Sequence, residues 1–280
     1  MKKALKLTLS LGVVALSYFA KTPAQAQTKI VNQSGNIQTE ISYQSQPDSF
    51  CQQENTHLKI SRNNQVVFDE LINQEACLIA GKESESITIK DLNNDGEPEI
   101  LIDWYTGGAH CCFFSLMYLY EPLSNKYFPI SQDWFLGSYA LKDENQDNIP
   151  EFHTWDTRFA YRFSSYANSG IPKRIWEFRH NGEFVDVTRQ HPNLVYNDAY
   201  YWWTRFIEEQ QAYEGGNQQA GEGFLAAYIA NKALLGQEED AWNRVRKSYR
   251  GNGCTLDGCV GREAFLVDVE NFLKETGYLE

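Results

Sequence analysis

The sequence contains no apolar run long enough to cross a bilayer. Its longest, residues 7–20, has about 14 residues, whereas a membrane-spanning helix needs about 20. This run follows a basic segment that ends at Lys6, and it leads into Ala24-Gln25-Ala26, the small-x-small pattern of a cleavage site. We therefore expect a bacterial Sec-type signal peptide over residues 1–26, cleaved near Ala26. The mature chain would then be periplasmic or secreted, with no membrane span.

Positive charge is also scarce. Without residues 1–26, which carry four lysines and no acidic residue, 21 Lys and Arg face 37 Asp and Glu, a net charge of −16. Nucleic acids and anionic membrane surfaces select clusters of Lys and Arg, so the composition argues against both as partners. The acidity suits divalent cations or basic partners, and it also serves solubility.

Patterns typical of catalytic sites are almost lacking, and neither a glycine-rich phosphate loop nor a Ser-His-Asp pattern occurs. The exception is the segment Gly107-Gly108-Ala109-His110-Cys111-Cys112, because a cysteine beside a histidine can be a nucleophile or a redox thiol. Neighbouring side chains on a strand point to opposite faces, however, so His110 and Cys111 would not meet. We predict that the protein is not an enzyme. A thiol-dependent or redox enzyme using His110, Cys111 and Cys112 is the alternative.

An even number of cysteines in an exported chain predicts disulfide bonds. Cys254 and Cys259 enclose a short loop in which Gly258 lets the backbone turn, and Cys51 and Cys77 can join the two ends of a hairpin region. Cys111 and Cys112 are adjacent, so they can pair with each other only across a distorted turn. Otherwise each of them pairs elsewhere.

The chain divides into a β part and a helical part. Residues 28–195 alternate apolar and polar side chains in short runs, and Asn63-Asn64 separates two such runs as a tight hairpin turn. After Tyr196 the apolar residues recur at helical spacing. We predict a β-repeat domain over residues 27–195 and a helical C-terminal region over residues 196–280.

Four helices are expected in that C-terminal region. The first would be capped by Asn197 and stopped by Gly215-Gly216, and the second would stop at Gly236. Acidic residues from Glu238 onward suit the positive end of a third helix. The fourth carries an apolar stripe over residues 265–273.

One internal repeat stands out. The segment that contains Asp91-Leu-Asn93-Asn-Asp95-Gly96 recurs 52 residues later as Asp143-Glu-Asn145-Gln-Asp147-Asn148, with Lys, Asp, Asn, Asp, Pro and Glu in register. A period near 50 residues with strands inside it is typical of a propeller blade.

The spacing of oxygen-bearing residues in this repeat predicts calcium binding. Calcium takes about six to eight hard oxygen ligands, and side chains at positions 1, 3 and 5 of a tight loop can turn toward one ion. Positions 7 and 9 add a backbone carbonyl and a carboxylate. The expected ligands of the first copy are Asp91, Asn93, Asp95, Glu97 through its carbonyl, and Glu99. Those of the second are Asp143, Asn145, Asp147, Ile149 through its carbonyl, and Glu151. The alternative for both copies is an Asp/Asn-rich turn that binds nothing.

A D-x-N-x-D-G loop between two strands resembles the FG-GAP/VCBS family, the calcium loops of integrin-α-like β-propeller blades. The resemblance covers residues 85–190 and implies two blade-like units with a structural calcium ion in each loop. The Phe-Gly…Gly-Ala-Pro signature of that family is missing. Two or three units cannot close a ring of about four to eight blades. We therefore expect an α+β protein, with antiparallel blade-like β repeats of incomplete propeller type followed by a C-terminal helical cap.

These observations predict an exported, calcium-stabilised β-repeat module that serves as a binding or structural protein of the periplasm or cell surface. Its partner would be a protein or a glycan. A glycan-binding protein that uses an aromatic cluster in the first helix is a further alternative, although such rings more often pack on the core. The cluster consists of Tyr196, Tyr200, Tyr201, Trp202 and Trp203.

Overall fold

A computed structural model describes residues 27–45, 53–72, 75–78, 85–214 and 219–280. The predicted signal peptide, Cys51 and Gly215-Gly216 lie outside the described residues. The first sheet is a four-stranded antiparallel meander. Its strands are β1 (Gln27–Ser34), β2 (Ile37–Ser45), β3 (Gln53–Arg62) and β4 (Gln65–Leu71). Asn63 and Asn64 form the β3–β4 turn with φ of 51° and 63°, which confirms the predicted hairpin.

Two further antiparallel sheets follow along the chain. The second sheet has the order β5-β7-β8-β9, with β6 also paired to β7, and the third has the order β10-β11-β12-β13. The strands of the second sheet are β5 (Cys77–Leu78), β6 (Ile87–Lys90), β7 (Glu99–Gly108), β8 (Cys111–Glu121) and β9 (Lys126–Phe135). Those of the third are β10 (Ala140–Lys142), β11 (Glu151–Trp155), β12 (Lys173–Phe178) and β13 (Phe184–Asp186).

Strand β7 places the second sheet between the other two. Its alternate residues Ile100, Ile102 and Trp104 are buried in one apolar cluster with residues of the first sheet. Leu101, between them, points to the opposite face and shares a second cluster with Phe152 of the third sheet. Because both faces of β7 are covered, the run Ile100-Leu101-Ile102 is continuously apolar, as expected of a strand buried on two sides.

The helical region has the four predicted helices and a small hairpin. They are α1 (Pro192–Glu214), α2 (Glu222–Leu234), α3 (Glu238–Ser248) and α4 (Arg262–Glu275), with β14 (Cys254–Thr255) and β15 (Gly258–Cys259) before α4. The prediction that Asn197 caps the first helix is wrong, since α1 begins at Pro192. Proline favours the first helical position, because its missing N–H would be unpaired there in any case. Among the described residues, no helix combines the length and apolarity that a membrane span requires.

The helices pack directly on the segment between β11 and β12. Phe159 and Phe163 are buried in the helical core, and Phe159 meets Phe272 of α4 edge-to-face with ring centroids 4.8 Å apart. Gly170 lies so close to α2 that a Cβ atom there would fall 2.6 Å from the Cβ of Ala227. The helical region therefore completes a core to which the β part contributes.

The fold is thus α+β, with antiparallel sheets and a C-terminal helical region, as predicted. The described residues form no closed propeller. Blades of a propeller are arranged around a central axis, whereas these sheets are stacked face to face through apolar clusters on both sides of β7.

A carboxylate lies in the contact between the second and third sheets. Asp103 of β7 is partly buried, accepts a hydrogen bond from Ser115, and accepts the hydroxyl of Tyr139 at 3.1 Å from each of its oxygens. Burial raises the pKa of Asp103 to about 6, although these hydrogen bonds act in the opposite direction. Trp134 in turn donates to the Ser115 hydroxyl at 2.7 Å.

We predict that Asp103→Asn becomes less destabilising, or stabilising, as the pH rises. Because the folded-state pKa is raised, the folded protein holds a proton between about pH 4 and 6 that the unfolded chain has released, so this group's contribution to stability falls across that range. Urea unfolding at pH 4 and 7 should show the variant gaining about 2 kcal/mol on the wild type. Asp257→Asn, in an exposed turn, is the control. An equal stability difference at both pH values would contradict the assignment.

We also predict that residues 27–195 alone are insoluble or lack a cooperative transition, because Phe159 and Phe163 would lose the helical side of their core. Residues 27–280 should melt in one cooperative step in differential scanning calorimetry. A soluble 27–195 fragment with its own sharp transition would show that the helical region is a separate module.

Candidate functional site

The two copies of the repeat occupy equivalent places in two hairpins. The first acidic loop (residues 91–98) joins β6 to β7, and the second acidic loop (residues 143–150) joins β10 to β11. The residues that flank each loop are paired across the hairpin in the same way, Lys90 with Glu99 and Lys142 with Glu151. The repeat seen in the sequence is therefore a structural repeat.

Backbone hydrogen bonds fold the first acidic loop around its own side chains. The Asp91 carboxylate accepts the N–H groups of Asn93 at 3.3 Å and Asp95 at 3.2 Å, and its other oxygen accepts Gly96 at 2.8 Å. The Asn93 side-chain oxygen accepts the N–H of Asp95 at 3.0 Å. The Asp95 carboxylate accepts the N–H of Glu97 at 2.8 Å. Positions 1, 3 and 5 are thus turned into the loop.

The second acidic loop repeats four of these five hydrogen bonds. Asp143 accepts the N–H groups of Asp147 at 3.1 Å and Asn148 at 3.0 Å, and Asp147 accepts Ile149 at 2.8 Å. The Asn145 side-chain oxygen also accepts Asp147 at 3.1 Å. Asn148 has φ of 70° where Gly96 has 87°, so asparagine takes the left-handed position that glycine holds in the first loop.

The glutamate that ends each loop has a role that sequence reasoning missed. Glu99 accepts the backbone N–H of Leu92 at 2.9 Å, and Glu151 accepts that of Glu144 at 3.0 Å. Both carboxylates are buried and tie the second loop residue back to the following strand. Burial, together with the negative charges of Asp95 and Asp91, raises the pKa of Glu99 to about 7, although the hydrogen bond from Leu92 acts in the opposite direction.

Side chains from other layers meet each loop. Arg62 of the first sheet pairs with the carboxylate of Glu97. His180 lies in the turn between β12 and β13 of the third sheet, and its Nδ1 is 3.6 Å from the Asp95 carboxylate. At the second loop, His191 Nε2 lies 3.5 Å from Glu151. The loops are therefore positioned by all three sheets and by the segment that leads into α1.

The donor set of each loop is chemically selective. Among the described residues, His, Cys, Asp and Glu alone form no group of three or more that could hold a metal ion. The loops instead combine Asp carboxylates with an Asn amide oxygen and a backbone carbonyl. Hard oxygens without sulfur or imidazole suit calcium and do not suit zinc.

The Cys111-Cys112 pair lies at the β7–β8 turn, and the two residues are bonded to each other. His110 stacks on Tyr166 with ring centroids 4.1 Å apart, and its Nδ1 shares a hydrogen bond with the Tyr161 hydroxyl. The expected Cys254–Cys259 bond is confirmed. Cys77 is also disulfide-bonded, and its partner lies outside the described residues, as does Cys51. No cysteine is free among those that the structure describes.

The aromatic cluster of α1 is divided between surface and core. Tyr196, Tyr200 and Tyr201 are exposed. Trp202 and Trp203 are partly buried against the helical core, Trp202 stacked on Phe224 at 5.7 Å and Trp203 against Tyr228 at 4.7 Å. The two tryptophans therefore serve packing first, and the cluster as a whole is not one exposed platform.

The chain is similar to one protein family over its C-terminal part and to two individual proteins over longer stretches. Residues 195–277 match the family described as the sll0997 C-terminal domain. The chain is 30% identical over 228 residues to the "Probable thylakoid lumen protein sll0997" of Synechocystis sp. (strain ATCC 27184 / PCC 6803 / Kazusa), covering 74% of this chain and 66% of that protein. It is also 27% identical over 162 residues to the "Uncharacterized protein y4bJ" of Sinorhizobium fredii (strain NBRC 101917 / NGR234), covering 55% of this chain.

The chain thus spans just under two thirds of the first relative and 23% of the second. No solved structure matches it. The predicted FG-GAP/VCBS resemblance is wrong, because the family match and the cyanobacterial relative both point to a different group of proteins. The D-x-N-x-D pattern of the acidic loops does not identify a family by itself, because unrelated folds can contain the same Asp/Asn-rich hairpin loop.

We predict that the mature protein contains no alkylatable thiol, because the described cysteines are all in disulfides. Mass spectrometry of the iodoacetamide-treated, non-reduced protein should find no adduct, and its peptide map should contain the Cys254–Cys259 bridge. A freely alkylated Cys111 or Cys112 would contradict this and would favour the thiol-dependent enzyme.

Proposed function

We propose that the protein is an exported, non-catalytic binding or structural protein whose two acidic loops each bind a structural calcium ion. The observation that carries this proposal is the recurrence of one hydrogen-bond arrangement, with the same inward-facing oxygens, in two loops 52 residues apart. The proposed ligands are Asp91, Asn93, Asp95 and the Glu97 carbonyl in the first loop. Those of the second loop are Asp143, Asn145, Asp147 and the Ile149 carbonyl.

Electrostatics supports a cation in the first loop in particular. Asp91 and Asp95 carry like charges within one tight turn, and Glu99 is buried beside them. A divalent cation among these groups would replace mutual repulsion with attraction in a region of reduced dielectric. Glu99 and Glu151, the two remaining predicted ligands, would act mainly by closing the loops, and each can add an oxygen to the ion.

The proposed compartment lies outside the cytoplasm. The predicted signal peptide, the expected disulfides and a relative named as a probable thylakoid lumen protein all support a periplasmic, lumenal or secreted location. Because the chain spans only part of that relative, we propose no shared activity.

Calcium should bind to residues 27–280 with a stoichiometry of two in isothermal titration calorimetry, after the protein has been stripped with a chelator. Asp95→Ala and Asp147→Ala should each remove one site, and the double variant should remove both. Calcium should also raise the melting temperature, because a ligand bound to the native state alone stabilises that state. Each site contributes about 2.7 kcal/mol at a hundredfold excess of calcium over Kd.

Asp257→Ala, which removes an exposed carboxylate outside both loops, is the matched control and should keep both sites. Absence of binding heat together with identical melting curves in calcium and in chelator would overturn the proposal. Magnesium at the same concentration tests selectivity, because its smaller, strictly octahedral shell suits these loops less well.

A further inference from the structure

The exposed indole of Trp155 lies between two clefts that are separate from the acidic loops. Trp155 ends β11, and 45% of its surface is exposed. A polar cleft of about 320 Å³ lies on one side, and an aromatic cleft of about 280 Å³ lies on the other. Trp155 and Thr157 line both, so the two clefts adjoin at Trp155. Each volume is near the lower end of the range for ligand pockets, which begins at about 300 Å³.

The rings of the aromatic cleft are held in place. Gly137 lets the backbone approach the indole of Trp155, because a Cβ atom there would lie only 3.3 Å from its ring. Trp202 stacks on Phe224 and donates its indole N–H to Asp198 at 3.1 Å. Tyr166 is backed by the parallel ring of His110. A ligand would therefore meet rings that lose little side-chain freedom on binding.

The two arginines of the polar cleft are already paired with carboxylates. Arg158 donates its Nε–H to Asp156 at 2.7 Å, and Arg174 pairs with Asp186 while its Nε lies 3.4 Å from Asp156. Both guanidinium groups are thus engaged, which disfavours phosphate, sulfate or carboxylate ligands. Asp133 is exposed and makes no ion pair with any residue that the structure describes.

The remaining hydrogen-bonding groups of the site suit hydroxyl groups. Gln132 and Asp133 of β9 line the polar cleft together with Thr157, and the Gln132 side chain already donates one hydrogen bond to the Asp133 carbonyl at 3.0 Å. A pyranose ring has one face of C–H bonds and a rim of hydroxyl groups. The C–H face stacks on an indole, and the hydroxyls donate to carboxylates and accept from amides.

We propose that the Trp155 site binds an uncharged oligosaccharide of pyranose units. One sugar ring stacks on Trp155, and its neighbours occupy the polar and aromatic clefts. Asp133 accepts hydroxyl protons in the polar cleft, and Trp202 and Tyr166 supply the apolar wall of the aromatic cleft. This site is distinct from the exposed tyrosines of α1, of which Tyr196 and Tyr200 line neither cleft.

The test uses residues 27–280 with saturating calcium and three defined neutral probes, chitotetraose, cellotetraose and maltotetraose. We expect at least one to bind with a Kd of millimolar or lower in isothermal titration calorimetry and to change tryptophan fluorescence. Trp155→Ala should weaken that binding at least tenfold. Tyr200→Ala, which removes a ring that is 65% exposed outside the site, should leave the affinity unchanged.

Asp133→Ala provides an independent variant if Trp155→Ala lowers the melting temperature, since an exposed side chain without an ion pair is removed at little cost to folding. It should weaken the binding several-fold. Absence of binding by all three probes at 10 mM, or an affinity that neither Asp133→Ala nor Trp155→Ala lowers, would overturn the proposal. The same saccharide titration of chelator-treated protein shows whether saccharide binding depends on calcium, so that failure of this proposal can be distinguished from failure of the calcium proposal.

Discussion

The burial of β7 on both faces is the constraint on which the rest of the fold depends. A strand covered on both sides must have an apolar residue at nearly every position, and Ile100-Leu101-Ile102 meets that condition. The polar residue that follows on the third-sheet side, Asp103, needs partners within the contact, and it finds them in Ser115 and Tyr139. The order of the layers is therefore set by one short segment and its immediate polar neighbours.

The acidic loops are placed by the same strands. Glu99 begins β7 and Glu151 begins β11, and each carboxylate reaches back to the backbone at the start of its loop. A loop closed in this way fixes the residue at which the following strand begins to pair in the sheet. Loop geometry and sheet register are thereby coupled, and this coupling explains why the same pattern recurs at the start of two strands in different sheets.

Local features of this fold were predictable from the sequence. The Asn63-Asn64 turn, the positions of α2, α3 and α4, and the hairpin setting of both acidic loops follow from positive-φ residues, apolar periodicity and turn chemistry, which act over a few residues. The start of α1 was not predicted, because Asn197 is a favourable capping residue, whereas the helix begins at Pro192.

Features that depend on distant residues could not be predicted. The stacking of three sheets depends on which faces of β7 meet which partners, and no local pattern encodes that choice. The pairing of Cys111 with Cys112 depends on the shape of the β7–β8 turn. The Trp155 site is a stronger case, since its walls come from residues 132–137, 154–158, 166–176 and 202, and only the packed structure brings them together.

The residues that form that site argue against a helical region that serves only as a cap on the β part. Trp202 of α1 forms part of the aromatic cleft, and Tyr278, after α4, donates its hydroxyl to Asp156 at 3.0 Å. Burial alone raises the pKa of Asp156, but Arg158, Arg174 and Tyr278 together outweigh it and hold the pKa below its ordinary value, so the carboxylate stays charged and fixes both arginines. The helices therefore set the shape of one cleft and the charge balance of the other. A helical region that served only as a cap would need neither contact.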